Sequence, residues 1–349
     1  MARRTRHQFL ARPGWQRAQR CRVGLGGYSR APAAVAAGCQ SAVAAACWWT
    51  PLRLLVLLLG IVAAHLASAQ DIEPRAYSNA PVGVNFLIAG YAYTAGAVPF
   101  DSALPIRNAE MRTSNAVLAY ARVLDLAGMS AKFDAIVPYS WLSGHAELRG
   151  QPIERIVDGL ADPRFRLSVN LYGAPALSLP EFRNYEQDLI IGASLQVSAP
   201  AGQYDPTRVV NIGTNRWSFK PEIGISKVLG RWTLESQAAV TVFTDNRDFH
   251  EGNRRRQDPL YSLQGHAIYS FPRGIWASLD FTYFTGGRTT IDGVQSSDLQ
   301  QNWRLGATLA LPVDVHNSVK LYASSGVASR TGCYVPPYSS LSVPSYSGV

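Results

Sequence analysis

The sequence predicts an all-β fold: a membrane-spanning antiparallel barrel of about twelve strands, with its final strand doubtful, carried behind an export signal. Three observations predict it. Runs of about 10–13 residues with two-residue alternation recur from Val84 onward. Short and long connections alternate between those runs. Aromatic residues gather near the run ends, at Trp141, Trp217, Trp232, Tyr261, Tyr269 and Trp303.

Residues 1–52 are rich in arginine and alanine and show no clear periodicity. Residues 1–69 hold nine of the 33 basic residues of the chain, all arginine, and no acid. Without those nine, 24 basic residues balance 24 acidic ones, so the net charge of +9 belongs to the leader alone. A neutral remainder offers no electrostatic reason for a nucleic-acid partner. The stretch 1–52 reads as a cleaved or non-native extension. A start codon placed too far upstream explains it best; a long basic leader and an organellar transit peptide share its composition.

Residues 53–69, "RLLVLLLGIVAAHLASA", read as a secretory signal peptide. One cation precedes an apolar run from Leu54 to Ala64, and Ala67-Ser68-Ala69 supplies small residues at a cleavage position after Ala69. A transmembrane helix is the alternative. The run falls short of the ~20 residues a helix needs to span a bilayer. Three of the four cysteines lie before residue 70, leaving only Cys333, so no disulfide framework or cysteine metal site is expected.

The barrel is expected over 70–332. Its alternating runs are 84–95, 112–124, 128–139, 163–173, 187–198, 216–227, 230–243, 257–271, 274–286, 299–311 and 317–327. In "RFRLSVNLY", Phe165, Leu167, Val169 and Leu171 alternate with Arg164, Arg166, Ser168 and Asn170. Short connections fall at 125–128, 228–231, 270–274 and 312–317; long polar ones fall at 96–111, 140–162, 199–215, 244–256 and 287–298. That is the grammar of short periplasmic turns and long outer loops. Segment 174–186 falls where a short turn is due and suits a small helix. A soluble β-sandwich would instead bury the apolar face and wet the polar one. Strand length, small residues on the polar face and aromatic run ends favour the barrel. The apolar face therefore meets lipid, the polar face lines a lumen, and the sheet must close because a bilayer offers no hydrogen bonds.

Segments including "GLADPRFRLSVNLYGAPAL", "LIIGASLQVSAPAGQYDP", "NIGTNRWSFKPEIGISKVLGRWTLE", "RRRQDPLYSLQGHAIYSF" and "GIWASLDFTYFTGGRTTIDG" resemble outer-membrane transporters of the MetA-pathway phenol-degradation family. The resemblance covers about residues 75–332. It implies a monomeric barrel of the Gram-negative outer membrane and a role in moving small compounds. It also implies a further amphipathic strand at the C-terminus. Residues 333–349 depart from that pattern: Pro336, Pro337 and Pro344 do not suit a paired strand interior. This tail reads as divergent and disordered, offering β-partnership to nothing, with 317–327 meeting 84–95 directly or leaving a weak seam.

No catalytic set stands out. His145 and His250 fall in expected outer loops, His316 in a turn, and His266 in a strand near Ser262, Gln264 and Ser270. "DFHEG" carries an incomplete ligand set, and "GGRTTIDG" lacks the strand–loop–helix context of a phosphate loop. No enzyme activity, cofactor or metal is expected. By alternation, Arg122, Lys132, Arg164, Arg166, Lys220, Arg304 and Lys320 face the lumen, with Asp134, Asp188, Glu222, Glu235 and Asp280. They either form ion-pair ladders that plug a narrow barrel or line a path for solute. The expected partners are the lipid bilayer, a small-molecule solute and the outer-membrane assembly machinery. The leading function is passive uptake of small compounds, aromatic or hydrophobic ones among them. A structural or adhesion barrel with partner-binding loops is the alternative, and a lipid-modifying enzyme the third.

Overall fold

The computed structural model describes residues 73–97, 106–148, 151–329 and 345–347. The leader and signal expectations lie outside them. Among the described residues no helix is long and apolar enough to cross a membrane.

The wall is one antiparallel sheet. Its strands are β1 (Asn85–Ala97), β2 (Ile106–Leu126), β3 (Met129–Leu148), β4 (Gln151–Leu160), β5 (Arg164–Tyr172), β6 (Leu189–Ser198), β7 (Ser218–Leu229) and β8 (Trp232–Phe243). After two short strands come β11 (Leu260–Ser270) and β12 (Trp276–Gly286), then β15 (Gln300–Pro312), β16 (Ser318–Ser329) and β17 (Ser345–Ser347). The order is β16-β15-β12-β11-β8-β7-β6-β5-β3-β2-β1-β17, with β4 beside β3. All eleven expected runs are present. A short helix, α1 (Leu179–Phe182), stands in segment 174–186, with Ser178 and Glu181 forming a capping box.

The two faces are inverted relative to a water-soluble sheet. Leu195, Ile223, Leu279 and Leu305 are 46%, 56%, 70% and 54% exposed, whereas Glu222, Ser226, Asp280 and Thr308 on the opposite face are 9% or less. Exposed leucine beside buried carboxylate is the arrangement a bilayer demands, with apolar side chains outward and polar ones inward. Aromatics collect on the outer face near the strand ends. Trp232 packs against Tyr269 at 4.9 Å and Trp303 against Tyr283 at 4.4 Å between ring centroids.

Three expected loops are more ordered than the sequence suggested. Segment 140–162 is mostly ladder: β3 runs on to Leu148 and folds back as β4, so that β4 and then β5 descend along β3. The two join at residues 161–163, where the register slips by one and Pro163 donates nothing. Beyond the wall, β9 (Asn246–Phe249), β10 (Asn253–Gln257), β13 (Thr289–Ile291) and β14 (Val294–Gln295) form a separate small sheet from the other two segments. At the opposite end, β2 and β3 join through Ala127 and Gly128, with φ of 53° and 82°. Two successive positive φ values are what a type I′ hairpin requires.

The tail expectation needs correction. Ser345–Ser347 pairs antiparallel with Leu87–Ala89, so part of residues 333–349 does meet β1. The pairing begins directly after Pro344, beyond all three prolines, where backbone donors are again available. This gives the wall an even twelve strands along its main path, with β16 and β17 in contact at the seam.

Candidate permeation pathway

Residues 73–84, ahead of β1, are threaded into the lumen. Glu73 forms an ion pair with Arg166 on β5 at 2.5 Å, and Arg166 also donates to Asp134 on β3 at 3.0 Å. The Arg75 backbone N–H donates to Glu235 Oε2 on β8 at 2.7 Å, and its guanidinium to Ser270 Oγ on β11 at 2.8 Å. The same guanidinium lies 4.9 Å above the Trp276 ring on β12. Glu73 and Arg75 thus hold inward faces separated in the sheet by β6 and β7, so the segment crosses the lumen.

Tyr77 is its anchor. It is 2% exposed and packs with Ala76, Ala174 and Ile190; its hydroxyl donates to Glu222 Oε1 at 3.0 Å. The ring rests on Gly192 and Gly224, which face each other on β6 and β7. A Cβ at those glycines would stand 2.3 Å and 2.1 Å from ring carbons. Two missing side chains therefore make the hollow that receives one tyrosine. Burial beside the Glu222 carboxylate pushes the Tyr77 phenol well above its ordinary pKa, so it remains a donor. Burial alone would raise the Glu73 carboxyl. The charges of Arg166, Lys132 and Lys320 outweigh it and hold that group well below the usual carboxylate range.

The expected lumen residues fall into three groups. Asp134, Glu222, Glu235 and Asp280 are buried on the inner face; Arg166 and Lys220 pair there with Asp134 and Glu222, the second at 3.2 Å. Lys132, Arg164, Arg304 and Lys320 are half-buried. Lys132 stands opposite Ser168, Arg304 lies 5.0 Å above the Phe284 ring and Lys320 5.6 Å from the Trp276 centroid. Two residues lie elsewhere. Arg122 is exposed and directly opposes Phe133, itself exposed, so it belongs to the outer face; Ala121 and Val123 take the inner positions. The local sequence is apolar on both faces, which hid the register. Asp188 precedes β6 at the rim, with its side chain 75% exposed and 2.5 Å from Lys227 Nζ.

A second polar band runs along the inner wall of β8, β11 and β12. Glu235, His266 and Asp280 face one another across the ladder. His266 Nδ1 meets Asp280 Oδ1 at 2.8 Å, and Ser278 and Thr308 donate to the same carboxylate. The Ser278 hydroxyl is thus turned to Asp280. One position further toward the outer loops, Gln237, Gln264 and Thr282 are also paired in register. Gln237 Nε2, Gln264 Oε1, His266 Nε2 and Thr282 Oγ1 are buried with no hydrogen-bond partner in the structure.

Sequence reasoning missed Glu73, Arg75 and Tyr77 as lumen residues. The signal lay in Gly192 and Gly224, small residues at inward positions in otherwise bulky strands.

Together, outward leucines, a polar interior and a lumen-crossing segment define an outer-membrane-type β-barrel. The family "Putative MetA-pathway of phenol degradation" matches residues 106–332, and the chain belongs to it. The fold is similar to that of the COG4313 outer membrane channel from Pseudomonas putida F1. The TM-score is 0.67 at 19% identity, with 80% of this chain and all of that one covered. The β domain of the Bordetella autotransporter BrkA is also similar, at TM-score 0.42 and 12% identity over 74% of this chain and 99% of that one. The transport unit of AIDA-I from Escherichia coli has TM-score 0.43 and 8% identity, over 80% and 92% of the respective chains. No curated protein matches.

Proposed function

We propose that the protein is a passive outer-membrane channel for small solutes, aromatic and hydrophobic compounds among them, with the N-terminal segment narrowing its lumen. The observation that carries this reading is the inversion of the wall: leucines exposed outside, carboxylates, amides and hydroxyls buried inside. Family membership supports it. The unpartnered amide, imidazole and hydroxyl atoms of the inner band support it too, because buried polar atoms are otherwise hydrogen-bonded. In this reading the ion pairs of Arg166 and Lys220 stiffen the wall, while the inner band and the cations near β16 lie along the path. The lipid bilayer, the outer-membrane assembly machinery and a small solute are its partners, and the barrel acts as a monomer.

The test is single-channel conductance and liposome swelling with the chain beginning at Gln70, refolded into lipid. Discrete conductance steps, and swelling with small neutral aromatic solutes, are the expected result. A sealed bilayer with correctly folded barrel would overturn the reading.

A further inference from the structure

At the short-turn end of the barrel, a cavity of about 410 Å³ opens between the N-terminal segment and the wall of β12, β15, β16 and β1. Its lining includes Glu73, Arg75, Phe86, Lys132, Trp276 and Lys320. The size suits a small organic ligand, since such sites run from about 300 Å³ upward.

The charges around it are unevenly answered. Arg166 is held by both Glu73 and Asp134, and Arg75 faces Glu235. The carboxylate that Lys132 and Lys320 act on is Glu73, which is already paired with Arg166; among the described residues no carboxylate lies within 4.0 Å of either ammonium, so two lysines and an arginine share that one charge. Among the described residues Lys132 makes one hydrogen bond, a long one of 3.4 Å to the Ala76 carbonyl. Asp314 is turned away from them, accepting from the backbone of His316 and Asn317 within its own turn. Phe86 and Trp276 line the same cavity, and Lys320 and Arg75 lie 5.6 Å and 4.9 Å from the Trp276 ring centroid.

We propose that this cavity is a binding site for a small monocarboxylate with an aromatic or apolar body. The carboxylate lies between Lys132 and Lys320, and the body packs against Phe86 and Trp276. A charged acceptor on an ammonium makes a strong hydrogen bond where water is limited. The ring supplies apolar burial that an inorganic anion lacks. The Trp276 face already attracts cations, so drawing Lys320 toward a ligand carboxylate costs one cation–π contact and gains an ion pair. The site sits at the end that short turns assign to the periplasm, where it selects solute at the exit. It rests on the channel reading for its purpose and not for its existence.

Equilibrium binding separates the two. The folded protein, from Gln70 onward in a non-ionic detergent, is titrated with sodium benzoate, sodium hexanoate and benzyl alcohol by saturation-transfer NMR. Benzoate should bind at least about tenfold more tightly than benzyl alcohol, its uncharged counterpart. Similar affinity for hexanoate would assign the site to apolar carboxylates at large; weak hexanoate binding would assign it to aromatic ones. Lys320→Gln, and Lys132→Gln with it, should weaken benzoate by about tenfold or more while leaving heat-modifiable gel mobility unchanged. Equal binding of benzoate and benzyl alcohol to the unaltered protein would overturn the proposal, as would complete displacement by chloride at equal concentration. Benzoate binding in a barrel that conducts nothing would sustain this site and remove the channel reading; conductance without benzoate binding would do the reverse.

Discussion

Tyr77 occupies a hollow that exists because residues 192 and 224 carry no side chain. Gly224→Val should therefore expel the ring and loosen the whole segment, because backbone atoms of β7 cannot yield as a flexible side chain can. Single-channel conductance should rise severalfold, with gel mobility still that of a folded barrel. Unchanged conductance would mean that the segment does not obstruct the path. Glu73 makes a separate prediction with a definite sign. Its folded pKa lies well below the ordinary glutamate value. The stabilisation it gives is therefore complete above about pH 4.5, declines as the pH falls beneath that, and is gone below the depressed folded value. Conductance should stay constant from pH 7 to pH 5 and climb only in stronger acid. Glu73→Gln should already be high at pH 7. A channel that opens between pH 7 and pH 5 would owe its response to a group other than Glu73.

At the scale of strands, the wall register yields a paired test on β6. Leu195 is 46% exposed on the lipid face, whereas Ser194 opposes Glu222 across the ladder. Leu195→Arg should cost about 2–4 kcal/mol of folding stability near mid-membrane. Ser194→Arg should cost less, because its cation reaches a buried carboxylate; reversed order in a urea-unfolding assay would shift the register by one. The eleven long strands were legible because each carries its own two-residue alternation. Arg122 was misplaced because Ala121 and Val123 make the inner face of β2 as apolar as the outer. β4 was hidden because "QPIERIVDGL" pairs beyond the membrane, where lipid imposes no alternation. The small sheet of β9, β10, β13 and β14 joins segments distant in sequence, and the N-terminal segment has no periodicity. Both are set by tertiary contacts that composition does not encode.

For the whole molecule the decisive matter is closure. An unpaired edge within hydrocarbon leaves backbone donors and acceptors without partners, at a cost of several kcal/mol each. An even strand count lets the last strand run antiparallel to the first, and β17 satisfies this against β1. Its ladder is nevertheless only three residues long, against thirteen in β1 and twelve in β16. Most of the closing edge therefore draws little from this pairing, and the seam should be the weakest part of the wall. Deleting residues 344–349 should lower the folded fraction after refolding into lipid, read as the heat-modifiable band on a gel. Replacing residues 330–349 with a segment of about ten residues that alternates apolar and polar, and ends in an aromatic residue, should raise it above that of the natural chain. The comparison has a built-in control. A replacement shifted by one residue presents its apolar side to the lumen and should give no gain. If the deletion left the folded fraction unchanged, the Ser345–Ser347 pairing would contribute nothing to closure, and the edges of β1 and β16 would have to be satisfied by each other.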